Sequence, residues 1–273
     1  MMRFRQLGCG LLLGLGLLGC VRRPGMPSSV PAAPLFPPSL GAFKPPLLPS
    51  LAPSRPLTLF HEPFNGIDPA HWREIEASGR TTYTVENLDG LRALKAHATG
   101  GASILLATFR FDPKQYPWVS WRWRIDQAVV GEDLAHKPGS DASARIYVYF
   151  DTTGLPWQKR SLDYIWSTSQ PADTLLTSPY SKNSKMLIVE FGGDRTGRWT
   201  TVSRNVRDDY RRCFGEDAPD VVAIGVMTDS DNTKSDVVAY YDDLMVTRLR
   251  PSVPPEDPDV PVEPPAQEPP PRP

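Results

Sequence analysis

Residues 119–125 place the strongest constraint on the fold of this chain, because apolar and polar side chains alternate strictly along them, in the order VSWRWRI. A period of two residues is that of a β-strand with one buried face. Trp121 and Trp123 would then point the same way, and two such large rings on one strand need a thick apolar layer opposite them. A second sheet lying across from this strand supplies such a layer. The segment therefore predicts a β-sandwich.

Further runs with the same period follow along the chain and are separated by turn residues. The segments predicted as strands are residues 81–85, 91–96, 103–110, 144–150, 162–167, 186–191, 221–227 and 237–246. Residues 205–214 are the helical candidate, since acidic residues lie near the start, basic residues near the end, and Gly215 follows as a stop. The pattern predicts an all-β, jelly-roll-like sandwich of two sheets with one short helix.

The prolines divide the chain into a folded middle and two tails. Of the 31 prolines, 11 lie in residues 24–56 and 11 in residues 251–273, whereas all seven tryptophans lie between these stretches. Proline-rich sequence without tryptophan is poorly suited to burying a core and is predicted to be a disordered, solvated spacer. We therefore expect one β-sandwich domain over residues 57–250 and a proline-rich acidic tail over residues 251–273.

The first twenty residues resemble a bacterial lipoprotein signal. Arg3 and Arg5 precede an apolar run that is too short to span a bilayer, as expected of a signal peptide. The run ends in LLGC, which is similar to a lipobox. The resemblance implies a signal peptide over residues 1–19 and a lipidated Cys20. The alternative is an ordinary secretory signal with an incidental cysteine.

Residues 20–56 would then form a proline-rich tether between the lipid and the domain. Val21 and Arg22 follow the cysteine, and the lack of an aspartate next to it favours sorting to the outer membrane. Two or three acyl chains make a stable anchor. We therefore expect an outer-membrane lipoprotein of the bacterial cell envelope, with the membrane as one partner.

Composition and motifs argue against several classes of function. The formal net charge is −1, which predicts no preference for nucleic acid. Cys213 would be the remaining thiol of the domain, so no internal disulfide is expected there. The sequence has no nucleophile elbow, and its four histidines lack the spacing of a zinc site.

Several short motifs occur along the predicted domain, at residues 121–124 (WRWR), 141–148, 163–166 (DYIW), 204–206, 209–210, 214–215 and 227–233 (MTDSDNT). Together they resemble the DUF3047 proteins, a bacterial family of unknown function, over about residues 58–248. The resemblance implies a secreted sandwich domain and supplies no established activity.

The two ends of the domain are similar to those of carbohydrate-binding-module jelly rolls. Residues 60–66 (FHEPFNG) resemble the opening of such folds, and residues 239–246 (AYYDDLMV) resemble their last strand. In those folds the terminal strands pair, and an acid from each often helps to hold a structural calcium ion. The resemblance implies Glu62 and Asp243 as calcium ligands, with Asp242 as a substitute for the latter. The alternative is a salt-bridged or solvated edge.

Residues 229–233 (DSDNT) form an oxygen-rich loop after a strand that we expect to be buried. Their side chains offer oxygen ligands for a cation, but Thr233 and Lys234 break the EF-hand pattern. A capped turn is therefore the preferred interpretation of this loop.

Polar side chains of the predicted strands indicate a binding surface. By strand parity, Arg122 and Arg124 would share a face with one of two groups on the later strands, either Arg145, Tyr147 and Tyr149 or Asp163 and Glu190. An arginine fork beside carboxylates and aromatic rings can hold sugar hydroxyls and acidic sugars. The predicted contact residues are Arg122, Arg124, Arg145, Tyr147, Trp166 and Glu190. The alternative is a structural ion-pair network with the tryptophan in the core.

The sequence thus favours a lipid-anchored envelope protein that binds a glycan or another envelope component without chemistry. The second interpretation is a glycan hydrolase or lyase on the same fold, although no motif fixes a pair of carboxylates. The acids available to such an enzyme are Asp141, Asp163, Glu190, Asp229 and Asp231. The third interpretation is a structural or assembly protein. The ligand and the oligomeric state stay open.

Overall fold

In the computed structural model the chain divides into a unit of residues 1–52 and a unit of residues 53–273. The structure describes residues 56–88, 90–152 and 159–252, which all belong to the second unit. Apart from residues 56, 251 and 252, the predicted signal peptide, the tether with Cys20 and the acidic tail lie outside the described residues.

The described residues form thirteen β-strands and one α-helix. The strands are β1 Thr58–Glu62, β2 Trp72–Ser78, β3 Thr82–Leu88, β4 Leu91–Thr99, β5 Ala102–Phe111, β6 Trp118–Gln127, β7 Ala144–Phe150, β8 Ser161–Ser167, β9 Leu175–Thr177, β10 Ser184–Phe191, β11 Thr200–Asn205, β12 Val221–Asp229 and β13 Asp236–Thr247. The helix, α1, is Val206–Phe214.

The strands are arranged in two sheets. The six-stranded sheet has the order β11-β6-β13-β4-β3, and β1 also pairs with β13. The seven-stranded sheet has the order β2-β5-β12-β7-β8-β10-β9. Strand β8 pairs in parallel with β10, while its other neighbour, β7, runs antiparallel to it. The jelly-roll-like sandwich of two sheets that the sequence predicted is confirmed.

The alternating pattern of β6 decides how the two sheets meet. Trp121 and Trp123 are buried in the core, and their rings contact edge to face with centroids 5.3 Å apart. Across the core, Trp121 lies 5.3 Å from Tyr164, and Trp123 lies 5.9 Å from Trp166, both on β8. Aromatic pairs of this kind add about 0.5–1.5 kcal/mol each to the effect of burial. The polar side chains of β6 consequently point away from the core.

Helix α1 follows β11 directly and has a cap at each end. The side chain of Asn205 accepts a hydrogen bond from the backbone N–H of Asp208, at 3.2 Å. Gly215 ends the helix with φ of +75°, a left-handed conformation that favours glycine, and its N–H donates to the carbonyl of Arg211. The predicted short helix is confirmed. Within the described part of the chain, no helix has the length and apolar character that crossing a membrane requires.

The long connection between β6 and β7 contributes to the outer face of the seven-stranded sheet, the face turned away from the core between the sheets. Leu134 and Ala142 of this connection are fully buried. They belong to a separate apolar cluster with side chains of β8 and β10, namely Ile165, Met186 and Ile188. The connection therefore covers part of that face and shields the polar side chains beside it from water.

Candidate functional site

The structure separates the predicted contact residues instead of bringing all of them to one face. Arg122 and Arg124 lie on β6 of the six-stranded sheet, whereas Arg145 and Tyr147 lie on β7 of the seven-stranded sheet. The polar sides of β6 and β7 both point away from the shared core, and they therefore face in opposite directions. The expected common face was wrong because the two strands, although consecutive among the predicted elements, belong to different sheets.

The arginines of the six-stranded sheet each have a carboxylate beside them. Arg122 Nη1 lies 3.4 Å from Asp242 Oδ2, and its guanidinium lies 5.0 Å from the centre of the Trp199 ring. Arg124 Nε donates to Asp126 Oδ1 at 2.5 Å. Both arginine side chains are partly exposed. This face combines paired charges with one half-buried aromatic ring.

Trp166 and Glu190 lie beside each other in the register of β8 and β10. Trp166 is 1% exposed, and its Nε1 donates to the carbonyl of Gly192 at 3.0 Å. Glu190 has Arg195 Nη1 at 3.5 Å. Trp166 therefore packs in the core, as the alternative interpretation of this residue held, and its contacts with other core rings account for its position.

The outer face of the seven-stranded sheet holds a group that we call the arginine face, made of Arg145, Tyr147 and Tyr149 on β7 and Asp163 on β8. Arg145 is only 5% exposed. Its Nη1 donates to the hydroxyl of Tyr147 at 2.9 Å, and its guanidinium lies 5.5 Å from the centre of that ring. The rings of Tyr147 and Tyr149 are stacked, with centroids 5.5 Å apart and planes 12° from parallel.

Two nitrogens of Arg145, Nε and Nη2, have no hydrogen-bond partner among the described residues. Nη2 makes a longer ion-pair contact of 3.6 Å with Asp229 Oδ1. A buried guanidinium normally has its N–H groups satisfied, because an unmade hydrogen bond in a dry environment is costly. The two nitrogens are therefore the strongest indication that this part of the fold binds a ligand.

Asp163 completes the arginine face from the neighbouring strand, where it pairs in register with Tyr147. It is 1% exposed and accepts hydrogen bonds from the hydroxyls of Ser161 and Ser184. Burial raises the pKa of Asp163, while the charge of Arg145 opposes that rise. Strand parity grouped Tyr149 with Arg145 and named Asp163 in the alternative group, but the choice of contact residues left both out.

A second polar group, the carboxylate cluster, lies next to Arg145 and consists of Asp141, Asp229 and Asp231. One carboxylate oxygen from each lies within 4.8 Å of the others. Asp229 Oδ1 accepts a hydrogen bond from the backbone N–H of Ala142 at 3.1 Å. Burial raises the pKa of Asp229 to about 7; the nearby charge of Asp141 adds to the rise and Arg145 opposes it.

The oxygen-rich loop after β12 is a turn, and Asp141 contributes to its caps from a distant part of the chain. The backbone N–H groups of Asn232 and Thr233 donate to Asp141 Oδ2, at 3.1 and 2.6 Å. The N–H of Lys234 donates to the carbonyl of Ser230 at 2.9 Å. These hydrogen bonds support the interpretation of residues 229–233 as a capped turn. The capping carboxylate, Asp141, lies too far away in the sequence to be recognised from the local pattern.

The terminal strands pair as predicted, with Glu62 of β1 opposite Leu244 of β13. Glu62 Oε1 accepts from the backbone N–H of Phe64, and Oε2 accepts from Trp72 Nε1, both at 2.8 Å. Asp243 has φ of +47°, and its Oδ1 lies 3.0 Å from His61 Nε2. Each carboxylate thus has its own partners, and the calcium site at Glu62 and Asp243 stays a prediction.

Two cavities lie outside these groups. One, of about 460 Å³, opens near β2 and β3 and is lined by Trp72, Tyr83 and the ion pair of Glu74 with Arg80, among others. The other, of about 580 Å³, is polar and includes Arg160 in its lining. Neither is lined by a residue predicted to bind ligand, so the candidate site is the arginine face and not a deep pocket.

Comparison with solved structures finds distant similarity. The cellulose-induced protein Cip1 is 12% identical with a TM-score of 0.37, over 71% of this chain and 100% of that chain. A carbohydrate-binding module described as recognising mannan is 10% identical with a TM-score of 0.32, over 70% of this chain and 97% of that chain. A family 11 xylanase from Neocallimastix patriciarum is 10% identical with a TM-score of 0.35, over 70% and 99% of the two chains. Similarity this weak carries no argument about function.

Sequence comparison with curated proteins gives no match. The family model of DUF3047, described as a protein of unknown function, matches residues 70–245. This span includes β2 to β12 and most of β13, and with them the arginine face and the carboxylate cluster. The match confirms the resemblance that the sequence motifs indicated. The chain belongs to the DUF3047 family.

Proposed function

We propose that this protein is a lipid-anchored component of the bacterial cell envelope that binds a glycan, without chemistry, through the arginine face. The observation that carries the proposal is Arg145, a buried guanidinium with two nitrogens that lack hydrogen-bond partners among the described residues. It lies beside the stacked rings of Tyr147 and Tyr149.

The chemistry of this face suits a sugar that carries a carboxylate. A guanidinium donates two parallel hydrogen bonds to a carboxylate or to neighbouring hydroxyls, and aromatic rings pack against the apolar face of a sugar. Asp163 supplies an acceptor for a hydroxyl on the same face. An acidic glycan therefore fits this group of side chains better than a neutral one.

The arginine face is most exposed at Tyr149, which is half-buried, whereas Arg145, Tyr147 and Asp163 are each at most 9% exposed. Tyr149 pairs in register with Ala223, which in turn pairs with the exposed Thr108. Two residues before Tyr149 on the same strand, Tyr147 pairs with Gly225. A ligand would approach Tyr149 first and reach Arg145 behind it.

Glycan binding is tested with the full chain carrying Cys20→Ser, which removes the lipidated thiol, on a panel of acidic and neutral polysaccharides. We expect retention on an acidic polysaccharide, and we expect Tyr149→Ala to weaken affinity about tenfold, or about 1.4 kcal/mol, because a half-buried stacking ring is lost outside the main core between the sheets. Trp199→Ala, on the opposite outer face, is the matched control and should bind like the parent chain.

Two outcomes would contradict this proposal. Weaker binding by Trp199→Ala with unchanged binding by Tyr149→Ala would assign the glycan to the six-stranded sheet. A lack of retention on every polysaccharide would favour the structural or assembly role, with protein partners in the envelope.

A second candidate function is cleavage of a glycan at the same face by a hydrolase or lyase. The observation that favours it is the pair Asp163 and Asp229, whose carboxyl pKa values are raised by burial, that of Asp229 to about 7. A carboxyl that keeps its proton near neutral pH can act as a general acid. New chain ends that appear on incubation with the glycan, and that disappear with Asp163→Asn, would favour the enzyme; an intact glycan would favour binding alone.

The lipid anchor is supported by the leader that ends at Cys20 and by the proline-rich tether behind it. We expect the parent chain in the membrane fraction of a bacterial host and the Cys20→Ser chain in the soluble fraction. Membrane association that survives Cys20→Ser would contradict the anchor.

A further inference from the structure

The carboxylate cluster gathers three acids from separate positions in the chain. Asp141 precedes β7, Asp229 is the last residue of β12, and Asp231 belongs to the turn that follows. Asp141 is fully buried, Asp229 is 4% exposed and Asp231 is half-buried. One oxygen of each carboxylate lies within 4.8 Å of the other two, which is the spacing expected of ligands around one ion.

The charge of this cluster is not balanced by the contacts of the described residues. Three carboxylates carry three negative charges, and the ion pair that the structure gives to them is Arg145 with Asp229, at 3.6 Å. Two negative charges are left over in a largely buried place, which is unfavourable unless cations or protons compensate them. A divalent cation supplies the missing charge.

Arg145 provides an independent observation that points to a ligand here. Its side chain is 6% exposed, Nε and Nη2 have no hydrogen-bond partner within the described ranges, and Nη2 is directed at Asp229. Oxygen atoms in the coordination shell of a cation, from water or from a ligand, are good acceptors for such N–H groups. A hydrated cation among the three acids would therefore compensate the carboxylates and offer an acceptor to Nη2, which lies beside Asp229, while Nε stays available to a ligand of the arginine face.

The donor set selects the type of cation. It consists of carboxylate oxygens, without histidine or cysteine, and such hard donors favour calcium or magnesium over zinc. Asp141 is held in place by three N–H donors, from the backbone of Asn232 and Thr233 and from Asn232 Nδ2. Calcium accepts an irregular set of oxygen ligands, whereas magnesium demands a near-ideal octahedron, so these three acids suit calcium better.

We infer that Asp141, Asp229 and Asp231 bind a calcium ion, with Arg145 donating to an oxygen of its coordination shell. This site is separate from the predicted one at Glu62 and Asp243, which lies where β1 pairs with β13 in the six-stranded sheet.

Calcium titration of the full chain, after removal of metal with a chelator, tests the inference without any glycan. We expect one calcium ion per chain by calorimetry, with a rise in melting temperature, and weaker binding of magnesium. Asp231→Asn should weaken calcium binding at least tenfold. Because Asp231 is half-buried, this variant should fold, which its melting temperature without metal will check. Asp220→Asn changes a half-buried aspartate that belongs to neither calcium site; it is the matched control and should bind calcium like the parent chain.

Two results would overturn the inference. One is a parent chain that shows neither heat of binding nor a shift in melting temperature with calcium. The other is calcium binding that Asp243→Asn removes and Asp231→Asn leaves intact, which would assign the ion to the terminal strands. If Asp231→Asn unfolds, Asp231→Ser repeats the test. Retention on polysaccharide is measured separately, so failure of this inference leaves glycan binding open.

Discussion

The two outer faces of the sandwich hold their arginines in different ways. On the six-stranded sheet, Arg122 and Arg124 are partly exposed, and each lies beside a carboxylate of its own face. On the seven-stranded sheet, Arg145 is nearly fully buried, contacts a tyrosine hydroxyl and leaves two nitrogens without hydrogen bonds among the described residues. The same residue type thus forms exposed surface pairs on one side and a desolvated, incompletely satisfied group on the other.

This difference follows from what covers each face. The connection between β6 and β7 packs Leu134 and Ala142 beside the arginine face, and this cover removes water from the polar groups there. Exposed ion pairs contribute little to stability, because water and salt screen them. Buried charges interact strongly and are expensive to leave unpaired. We therefore expect substitutions on the covered face to reduce the free energy of unfolding and the affinity for ligand more than substitutions on the six-stranded face do.

The largest effect should come from Arg145→Met in metal-free buffer. This change removes the cation beside Asp229 and Asp163 while keeping most of the apolar volume, and we expect a loss of about 3 kcal/mol in the free energy of unfolding. Urea denaturation measures it. A loss as small as that of a surface pair would break the comparison, because Arg145 would then interact no more strongly than the exposed arginines.

The next largest effect concerns Asp242. This residue lies on the six-stranded sheet, but its side chain is almost fully buried, like those of the covered face. Burial raises the pKa of Asp242 to about 6 from the usual 3.8, helped by the charge of Asp243 and opposed by Arg122. The folded state therefore binds this proton more tightly than the unfolded state. As the pH falls from about 7 to about 4.5, the contribution of Asp242 to the free energy of unfolding rises by about 2 kcal/mol.

Asp242→Asn should remove that contribution. Denaturation of the parent chain and of the variant at several pH values gives the difference between their two profiles. Parallel profiles over this interval would show that the carboxyl of Asp242 is not desolvated in the folded protein.

A smaller effect is expected from Tyr147→Phe, which deletes the hydroxyl that accepts from Arg145 Nη1 at 2.9 Å. A buried guanidinium would lose its acceptor, and we expect a loss of about 1.5 kcal/mol. Tyr240→Phe, a buried tyrosine on β13 of the other sheet, is the matched control and should change stability less. Equal losses would mean that the hydroxyl of Tyr147 has no special role.

The smallest effect should come from Arg122→Met. Its contact with Asp242 is long, at 3.4 Å, and its side chain is partly exposed, so we expect a change below about 1 kcal/mol that shrinks further at high salt. Thermal denaturation at low and high salt checks this. A large loss that persists in high salt would place Arg122 among the desolvated groups and remove the contrast between the faces.

Local sequence predicted well those features that depend on near neighbours. Asn87 and Gly90, residue types that favour turns, close the hairpin of β3 and β4; Gly90 has φ of +87°, and its N–H donates to the Asn87 side chain. The end of α1 at Gly215 was predicted in the same way, whereas Asn205, predicted as the first helical residue, is the N-cap. Each of these features is decided within a few residues, and turn and cap chemistry is readable at that range.

The candidate site depended on contacts that local sequence does not carry. Strand parity marks which residues share one side of a strand, but it does not say to which sheet the strand belongs, and Arg122 was therefore grouped with Arg145. The role of Asp141 was hidden for a similar reason, because its partners at Asn232 and Thr233 lie about ninety residues away in the chain.

By itself, the sequence determined that this chain forms a β-sandwich with one short helix, and that the tryptophans of β6 face its core, because side-chain period and apolar burial act locally along a strand. Only the tertiary structure decided which polar residues meet. Pairing of distant strands and the packing of the β6–β7 connection determine which charges lose their water. Desolvation is what separates Arg145 from Arg122, and it depends on the surrounding fold, not on the residue.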